Sequence, residues 1–166
     1  MRDAVVALGV DRLAISELVE ADLALIGWSG SPLHVRHVAR ELERVTNGEA
    51  EYLAVRAPDG TPIAKCAIDL VAVPGVGIIH QLATRADLQG LGIGTRLIAG
   101  AEGRIRGHGL MAAMVSVERD NRRARALYER LGYVPCGERG ASWEAQGNDG
   151  STFVYETELT DMQKPL

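Results

Sequence analysis

Gln89-Gly90-Leu91-Gly92-Ile93-Gly94-Thr95 decides how the rest of the chain is read. Before it runs an apolar, strand-like stretch, Ile78-Ile79-His80-Gln81-Leu82-Ala83-Thr84. After it, Ile93, Leu97, Ile98, Ala101 and Ile105 recur at spacings of three and four, one apolar stripe of an amphipathic helix. The glycines therefore fall between a strand exit and a helix start. A helix N-terminus exposes N–H groups that the helix cannot satisfy, and it carries partial positive charge. Gly90, Gly92 and Gly94 have no Cβ, so phosphate oxygens can approach the main chain, and Thr95 adds a hydroxyl. The plainer reading is a flexible connection. Glycine inside a helix costs about 0.5–1 kcal/mol against alanine, however, which makes that an expensive connection. The stretch predicts an anion site.

The identity of the anion is narrowed by what is missing. No Gly-Lys-Ser/Thr follows the glycines, which excludes a Walker P-loop. A dinucleotide fingerprint needs G-x-G-x-x-G directly after a strand. Here the glycines alternate, Thr95 follows them, and Arg85 to Leu88 intervene after the strand. Glu118, at the end of the next apolar run, stands where a ribose-binding acid would, so the dinucleotide reading is weakened rather than removed.

Length and composition set the frame. A chain of 166 residues with 46% hydrophobic and 24% charged content predicts one soluble globular domain over residues 1–166. A net charge of −4 argues against a general nucleic-acid binder. Cys66 and Cys136 are too few for a disulfide scaffold, and neither sits in a metal-binding cluster, so no metal is expected. No apolar run approaches the roughly 20 residues of a membrane span. The start of the chain does not read as a signal peptide. No membrane association and a cytoplasmic location are the resulting expectations.

In chain order, residues 1–9 read as a loose lead-in and Arg12 to Leu18 as a first strand. Glu20 to Ile26 read as a short helix. Gly27 to Pro32 break the chain; a helix then starts with Ser31 as N-cap and Pro32 at its first position. Its stripe is Leu33, Val35, Val38, Leu42 and Val45, and it ends near Asn47-Gly48. Glu51 to Ala57 and Ile63 to Val73 read as strands around the turn Pro58-Asp59-Gly60-Thr61. Alternation in the second of them buries Cys66, a core thiol rather than a reactive one. After the glycine-rich helix, Gly107-His108-Gly109 is a stop, and Leu110 to Val117, apolar on both faces, reads as a central strand. Asp120-Asn121 opens another helix. Tyr133 to Cys136 and Thr152 to Leu159 read as the last strands, joined by a polar loop from Gly140 to Ser151. The order β-α-α-β-β-β-α-β-α-β-β predicts an α+β sheet with helices on both faces and a parallel pair at its centre.

Gln89-x-x-Gly92-x-Gly94 resembles the Q/R-x-x-G-x-G/A signature of the GNAT superfamily of acyl-CoA-dependent N-acetyltransferases. Asn121-Arg122-Arg123-Ala124-Arg125-Ala126-Leu127-Tyr128-Glu129-Arg130-Leu131-Gly132-Tyr133 is similar to that family's N-x-x-A-x-x-L-Y-x-x-x-G-F/Y helix. The resemblance covers roughly residues 12 to 159 and includes the order of elements. It departs where relatives often carry Val and Pro: this chain has Thr84 and Ala86.

The resemblance implies a mixed, mostly antiparallel GNAT-type sheet whose central parallel pair splays apart. It implies acetyl-CoA as co-substrate. Leu82, Ala83 and Thr84 would pair with the pantetheine arm, the amides of Gln89, Gly90, Leu91, Gly92, Ile93, Gly94 and Thr95 would hold the pyrophosphate, and Asn121 would bond the arm in the wedge. Arg123 and Arg125 would reach phosphates or remain solvated helix charge. Tyr128 would protonate the leaving sulfur, with a packed aromatic as the alternative. His80 is the proposed base, on the same side as Leu82 and Thr84 if the strand alternates, and a water chain is the alternative. Asp69 and Glu118 are weaker bases. Trp28 and Trp143 would wall the acceptor pocket or be plain core and surface aromatics. The acceptor would be a small-molecule amine or a peptide, and a homodimer is left open. The rival reading from another class is a GNAT-like module that binds acyl-CoA without turnover.

Overall fold

The computed structural model describes residues 1–166. Its strands are β1 (Ala14–Glu17), β2 (Ala50–Arg56), β3 (Pro62–Val73), β4 (Val76–Thr84), β5 (Ala112–Glu118), β6 (Val134–Gln146) and β7 (Thr152–Pro165). Its α-helices are α1 (Arg2–Leu8), α2 (Pro32–Thr46), α3 (Ile93–Gly107) and α4 (Arg122–Arg130). The strands make one sheet in the order β1-β2-β3-β4-β5-β7-β6. Every neighbouring pair is antiparallel except β4 and β5. The crossover between that parallel pair is α3, as the sequence predicts.

The helices form where their sequences direct them. Ser31 Oγ accepts the His34 N–H at 3.2 Å, and Pro32 occupies the first turn of α2. The predicted stripe of α3 is buried along its length, at Ile93, Leu97, Ile98, Ala101 and Ile105. That helix rests close on the sheet because Gly77 makes room: a Cβ there would meet Ile105 Cγ1 at 2.5 Å. Asn121 Oδ1 caps α4 by accepting the Ala124 N–H at 3.1 Å.

Two apolar layers sandwich the sheet. The larger, with 22 buried residues, lies under α3 and α4. The smaller, of six, lies under α2 and contains Leu18, Ile26, Val38, Tyr52, Ala54 and Ala67. No helix is long and apolar enough to cross a membrane.

Three expectations need correction. The lead-in at residues 1–9 is not loose: Arg2–Leu8 is helical, because Val5 is fully buried and Leu8 packs beside it on the main core. The segment Glu20–Leu25 is a 3-10 rather than an α-helix. The stretch from Gly140 to Ser151 is mostly strand, since β6 runs to Gln146 and pairs with β7 residue by residue, Trp143 opposite Tyr155 and Ala145 opposite Phe153. Most of β6 is exposed, so burial imposes no alternation on its sequence to betray the strand.

Candidate active site

The parallel ladder between β4 and β5 runs from Val76 opposite Ala112 to Ile79 opposite Val115, and there it stops. Both strands continue, to Thr84 and Glu118. Each keeps its outer partner: Ala83 pairs with Lys65 and Thr84 with Ala64 on β3, and Glu118 pairs with Leu159 on β7. The inner edges therefore diverge, and the wedge between them has main-chain groups without a strand partner.

The divergence begins at Gln81. This residue has φ 50°, the one non-glycine residue of the chain with positive φ. The register with β3 shifts at the same level, between Lys65 and Ala67. This is a β-bulge, which bends a strand and resets its alternation. It corrects the expectation that His80, Leu82 and Thr84 share a face. Leu82 packs on the larger core, whereas His80 lies opposite Ala67 in the layer under α2. Its Nε2 is 3.4 Å from Glu41 Oε1 on α2, without hydrogen-bond geometry.

Below the wedge stands the start of α3. Its N-cap is Gly92, in the left-handed region at φ 89°, and no side chain caps it. The first hydrogen bond back into the turn is from Arg96 N–H to the Gly92 carbonyl. The amides of Ile93, Gly94 and Thr95 thus have no partner in the helix and no cap, the condition for binding an anion. Gly90 is also left-handed, at φ 84°, so the loop alternates in the manner of an anion-binding nest.

One cleft of about 810 Å³ joins the two features. Leu82, Ala83, Thr84, Gln89, Gly90, Gly92, Ile93, Gly94, Thr95 and Asn121 line it, with Arg123, Ala124 and Leu127 of α4 opposite. Of the expected cofactor residues only Leu91 is outside the lining; its side chain packs on the core. Trp28 and Ser29 also line the cleft.

A model of the acetyltransferase (GNAT) family matches residues 18–133. The chain belongs to the GNAT acetyltransferase family.

The mycothiol acetyltransferase of Streptomyces coelicolor is 42% identical over 59 residues, which cover 36% of this chain and 19% of that protein. Among solved structures, the ribosomal-protein-S18-alanine N-acetyltransferase of Escherichia coli superposes with a TM-score of 0.70 at 20% identity, over 92% of both chains. A PaiA N-acetyltransferase of Thermoplasma acidophilum, in complex with coenzyme A, superposes with a TM-score of 0.67 at 16% identity, over 93% of this chain and 99% of that one. At such identities the likeness is one of GNAT fold.

The remaining candidate side chains of this GNAT-family chain sort by geometry. Tyr128 does not line the cleft. It lies one position beyond Leu127, 7% exposed, its ring edge-on to Tyr133 at 5.9 Å between centroids. Its hydroxyl has no hydrogen-bond partner in the chain, unlike that of Tyr133, which donates to Glu102. Burial holds the Tyr128 phenol above its ordinary pKa. Asp69 is structurally committed: Oδ1 accepts from Val71 and Ala72, and Oδ2 meets Arg44 at 2.7 Å. Glu118 accepts the Tyr155 hydroxyl at 2.9 Å. Trp143 is on the β6–β7 hairpin, tilted against Tyr155, and does not wall the cleft. Cys66 is the buried thiol predicted, pushed up to about 12 by burial.

Lys65 escaped the sequence reading. The alternation in β3 places it with Ala67 and Asp69 on the face away from the main core, where a lysine would ordinarily meet solvent. It is fully buried instead. The signal was available: β3 is interior to the sheet and covered on both sides, so its polar face had to be buried too. Glu41 escaped for want of any marker. Burial raises its pKa, but the His80 contact and Arg44 outweigh that and hold it below the ordinary value.

Proposed function

We propose that this chain is an N-acetyltransferase that moves the acetyl group of acetyl-CoA to an amine acceptor. The observation that carries the reading is the end of the β4–β5 ladder at Ile79 and Val115, opening into the same cleft as the uncapped amides of Ile93 to Thr95. The pyrophosphate would lie on those amides and on the Gln89 to Gly92 loop, and the pantetheine arm would lie along Leu82 to Thr84 as an added strand, with Asn121 across from it. Asn121 Oδ1 is committed to the α4 cap, so its Nδ2 is the group left for the arm.

The chemistry follows from these positions. A neutral amine attacks the thioester carbon, and the carbonyl electrons move to oxygen. A main-chain N–H of β4 beyond the bulge stabilises that oxyanion. The nitrogen, cationic after attack, loses its extra proton to water, the tetrahedral intermediate collapses, the C–S bond breaks, and the sulfur takes a proton from Tyr128, which regains one from solvent. The acceptor reaches the site as an ammonium and gives its proton to His80 through water, since His80 lies under α2 and outside the cleft lining. With the Nε2 edge of the ring toward Glu41, Nδ1 is the accepting nitrogen, and the carboxylate offsets the charge gained. The acceptor wall is Trp28 and Ser29, and the acceptor classes to be set against it are small amines, amino acids, aminoglycosides and peptide N-termini.

The burial of Tyr128 outside the cleft lining favours a second reading, an acyl-CoA-binding module without turnover. One experiment separates them: thiol release from acetyl-CoA across a panel of amines, amino acids, aminoglycosides and peptides. Saturable release with any acceptor supports transfer. Tight acetyl-CoA binding with no release across the panel supports the module.

A further inference from the structure

Lys65 is fully buried, and no carboxylate accompanies it. Its Nζ lies 2.9 Å from the Tyr52 hydroxyl, 3.2 Å from the Gln81 carbonyl oxygen and 3.1 Å from His34 Nε2. Donor accounting fixes each bond. The Gln81 carbonyl only accepts. The Tyr52 hydroxyl gives its hydrogen to Gln81 Oε1 at 2.8 Å, so it accepts from Lys65. The third ammonium hydrogen then goes to His34 Nε2, which has to be unprotonated. Burial and the Lys65 charge agree, holding His34 down to about 4. Both the main-chain carbonyl and the side-chain oxygen of Gln81 are therefore gripped by the Lys65–Tyr52 pair.

Gln81 needs such a grip. A left-handed conformation costs a residue with a Cβ about 1–2 kcal/mol and persists where its surroundings over-determine it. The grip also carries a penalty, because removing an ammonium from water costs several kcal/mol. Burial lowers the Lys65 pKa to about 8, which still leaves the group charged at neutral pH. The third arm reaches the acceptor wall. His34 lies directly against Gly30, where an added Cβ would stand 2.9 Å from its ring, and Gly30 follows Trp28 and Ser29 of the cleft lining.

We propose that Lys65 is a positioning residue: its ammonium locks the Gln81 bulge, hence the main-chain groups that β4 presents to the acyl carbonyl, and joins that bulge through His34 to the Trp28–Gly30 wall. Lys65 touches neither substrate and acts through Gln81. This assignment rests on the acyl-transfer reading for its catalytic consequence, but not for its structural one.

The test uses Lys65→Met and Tyr52→Phe in the full chain. Amide resonances of Gln81 and Leu82, recorded without ligand, are expected to move in both variants, while those of Gly92 to Thr95 stay in place. Affinity for CoA itself is expected to hold. With an acceptor from the panel, kcat is expected to fall by ~10–100-fold in Lys65→Met while KM for acetyl-CoA stays within about twofold, since a displacement of about 1 Å at a reacting centre costs up to ~100-fold. The thermal midpoint reports the balance between relief of a buried charge and the acceptors left without a donor; a purely structural lysine would change it and leave kcat alone. Unmoved Gln81 and Leu82 resonances, or an unchanged kcat, overturn the proposal. If no amine is acetylated, the transfer reading fails by itself, and the resonances alone decide whether Lys65 sets the bulge. Should Lys65→Met not fold, Tyr52→Phe decides in the same way, with a smaller fall in kcat.

Discussion

Arg123 Nη1 donates to Gln89 Oε1 at 2.9 Å, tying the first turn of α4 to the loop ahead of α3. Gln89 in turn holds the Thr84 carbonyl through Nε2 at 3.2 Å. The two diverging walls of the cleft are thus linked at the glycine loop by one side-chain bridge. Arg125 takes no part: it pairs with Glu129 at 3.0 Å along the exposed face of α4. The sequence offered both arginines the same alternatives, and the structure separates them.

Arg123→Ala is therefore expected to weaken CoA binding by about fivefold, near 1 kcal/mol, through loss of a cation beside the proposed pyrophosphate position. The difference should shrink at high salt, because the group is exposed and screened. Arg125→Ala should leave the affinity unchanged. Calorimetric titration with CoA at low and high salt checks all of this; equal effects of the two substitutions would remove Arg123 from the site.

Gly94 gives a separation between folding and binding. A Cβ at that position meets only Thr84 Oγ1 at 3.8 Å and Leu127 Cδ2 at 3.9 Å, ordinary contacts. Gly94→Asp therefore fits, and a carboxylate in the first turn of a helix is favourable by about 0.3–1 kcal/mol. The same charge faces the proposed pyrophosphate. The expected result is an unchanged or raised thermal midpoint together with a loss of CoA affinity of more than ~10-fold. Full affinity in a well-folded Gly94→Asp protein would sink the placement of the diphosphate.

Much of this was legible beforehand, for identifiable reasons. The α3 stripe and the glycine loop are local patterns, set by residues close in sequence. The parallel pair followed from a helix between two apolar runs. The Gln81 bulge was not legible, because nothing at position 81 distinguishes a left-handed glutamine from an extended one. It depends on Lys65 and Tyr52, far away in the chain, and the facing of His80 was misjudged with it. The full length of β6 was missed for the opposite reason: an exposed strand carries little burial signal.

Stability in acid should depend on Asp22. Arg56 clasps it, with Nη1 to Oδ1 at 2.9 Å and Nη2 to Oδ2 at 2.8 Å, and the Val19 N–H adds a third bond. The Arg56 hydrogen bonds hold the Asp22 carboxyl below its ordinary value, against burial. A carboxyl whose pKa is depressed by folding contributes stability that is complete above its unfolded value near ~4 and is lost as pH falls through the folded value. Asp69 shifts in the same direction: burial raises its pKa, but the Val71 and Ala72 amides and Arg44 outweigh burial. Urea unfolding should then show stability falling below pH ~4. Asp22→Asn should cost ~1–3 kcal/mol at neutral pH, because Arg56 keeps only a neutral partner, and its acid slope should be flatter. Parallel slopes for the two proteins would mean the pair contributes nothing to acid stability.

Tyr128 poses the sharpest question about turnover. Its ring is part of the main core, so removing the ring would confuse catalysis with folding. Removing only the hydroxyl does not: that oxygen forms no hydrogen bond within the chain, and Tyr128→Phe should leave the thermal midpoint unchanged. If the phenol protonates the departing sulfur, kcat falls by ~100-fold or more, while KM for acetyl-CoA hardly moves, because the group acts only as the C–S bond breaks. Burial raises the Tyr128 pKa, so the acid stays protonated past its ordinary value near ~10 and adds no alkaline loss of rate below that pH. Steady-state thiol release from wild type and Tyr128→Phe, followed across pH with one acceptor from the panel, provides the comparison. Equal kcat values in the two proteins would return Tyr128 to the role of a packed aromatic beside Tyr133 and leave protonation of the sulfur to solvent.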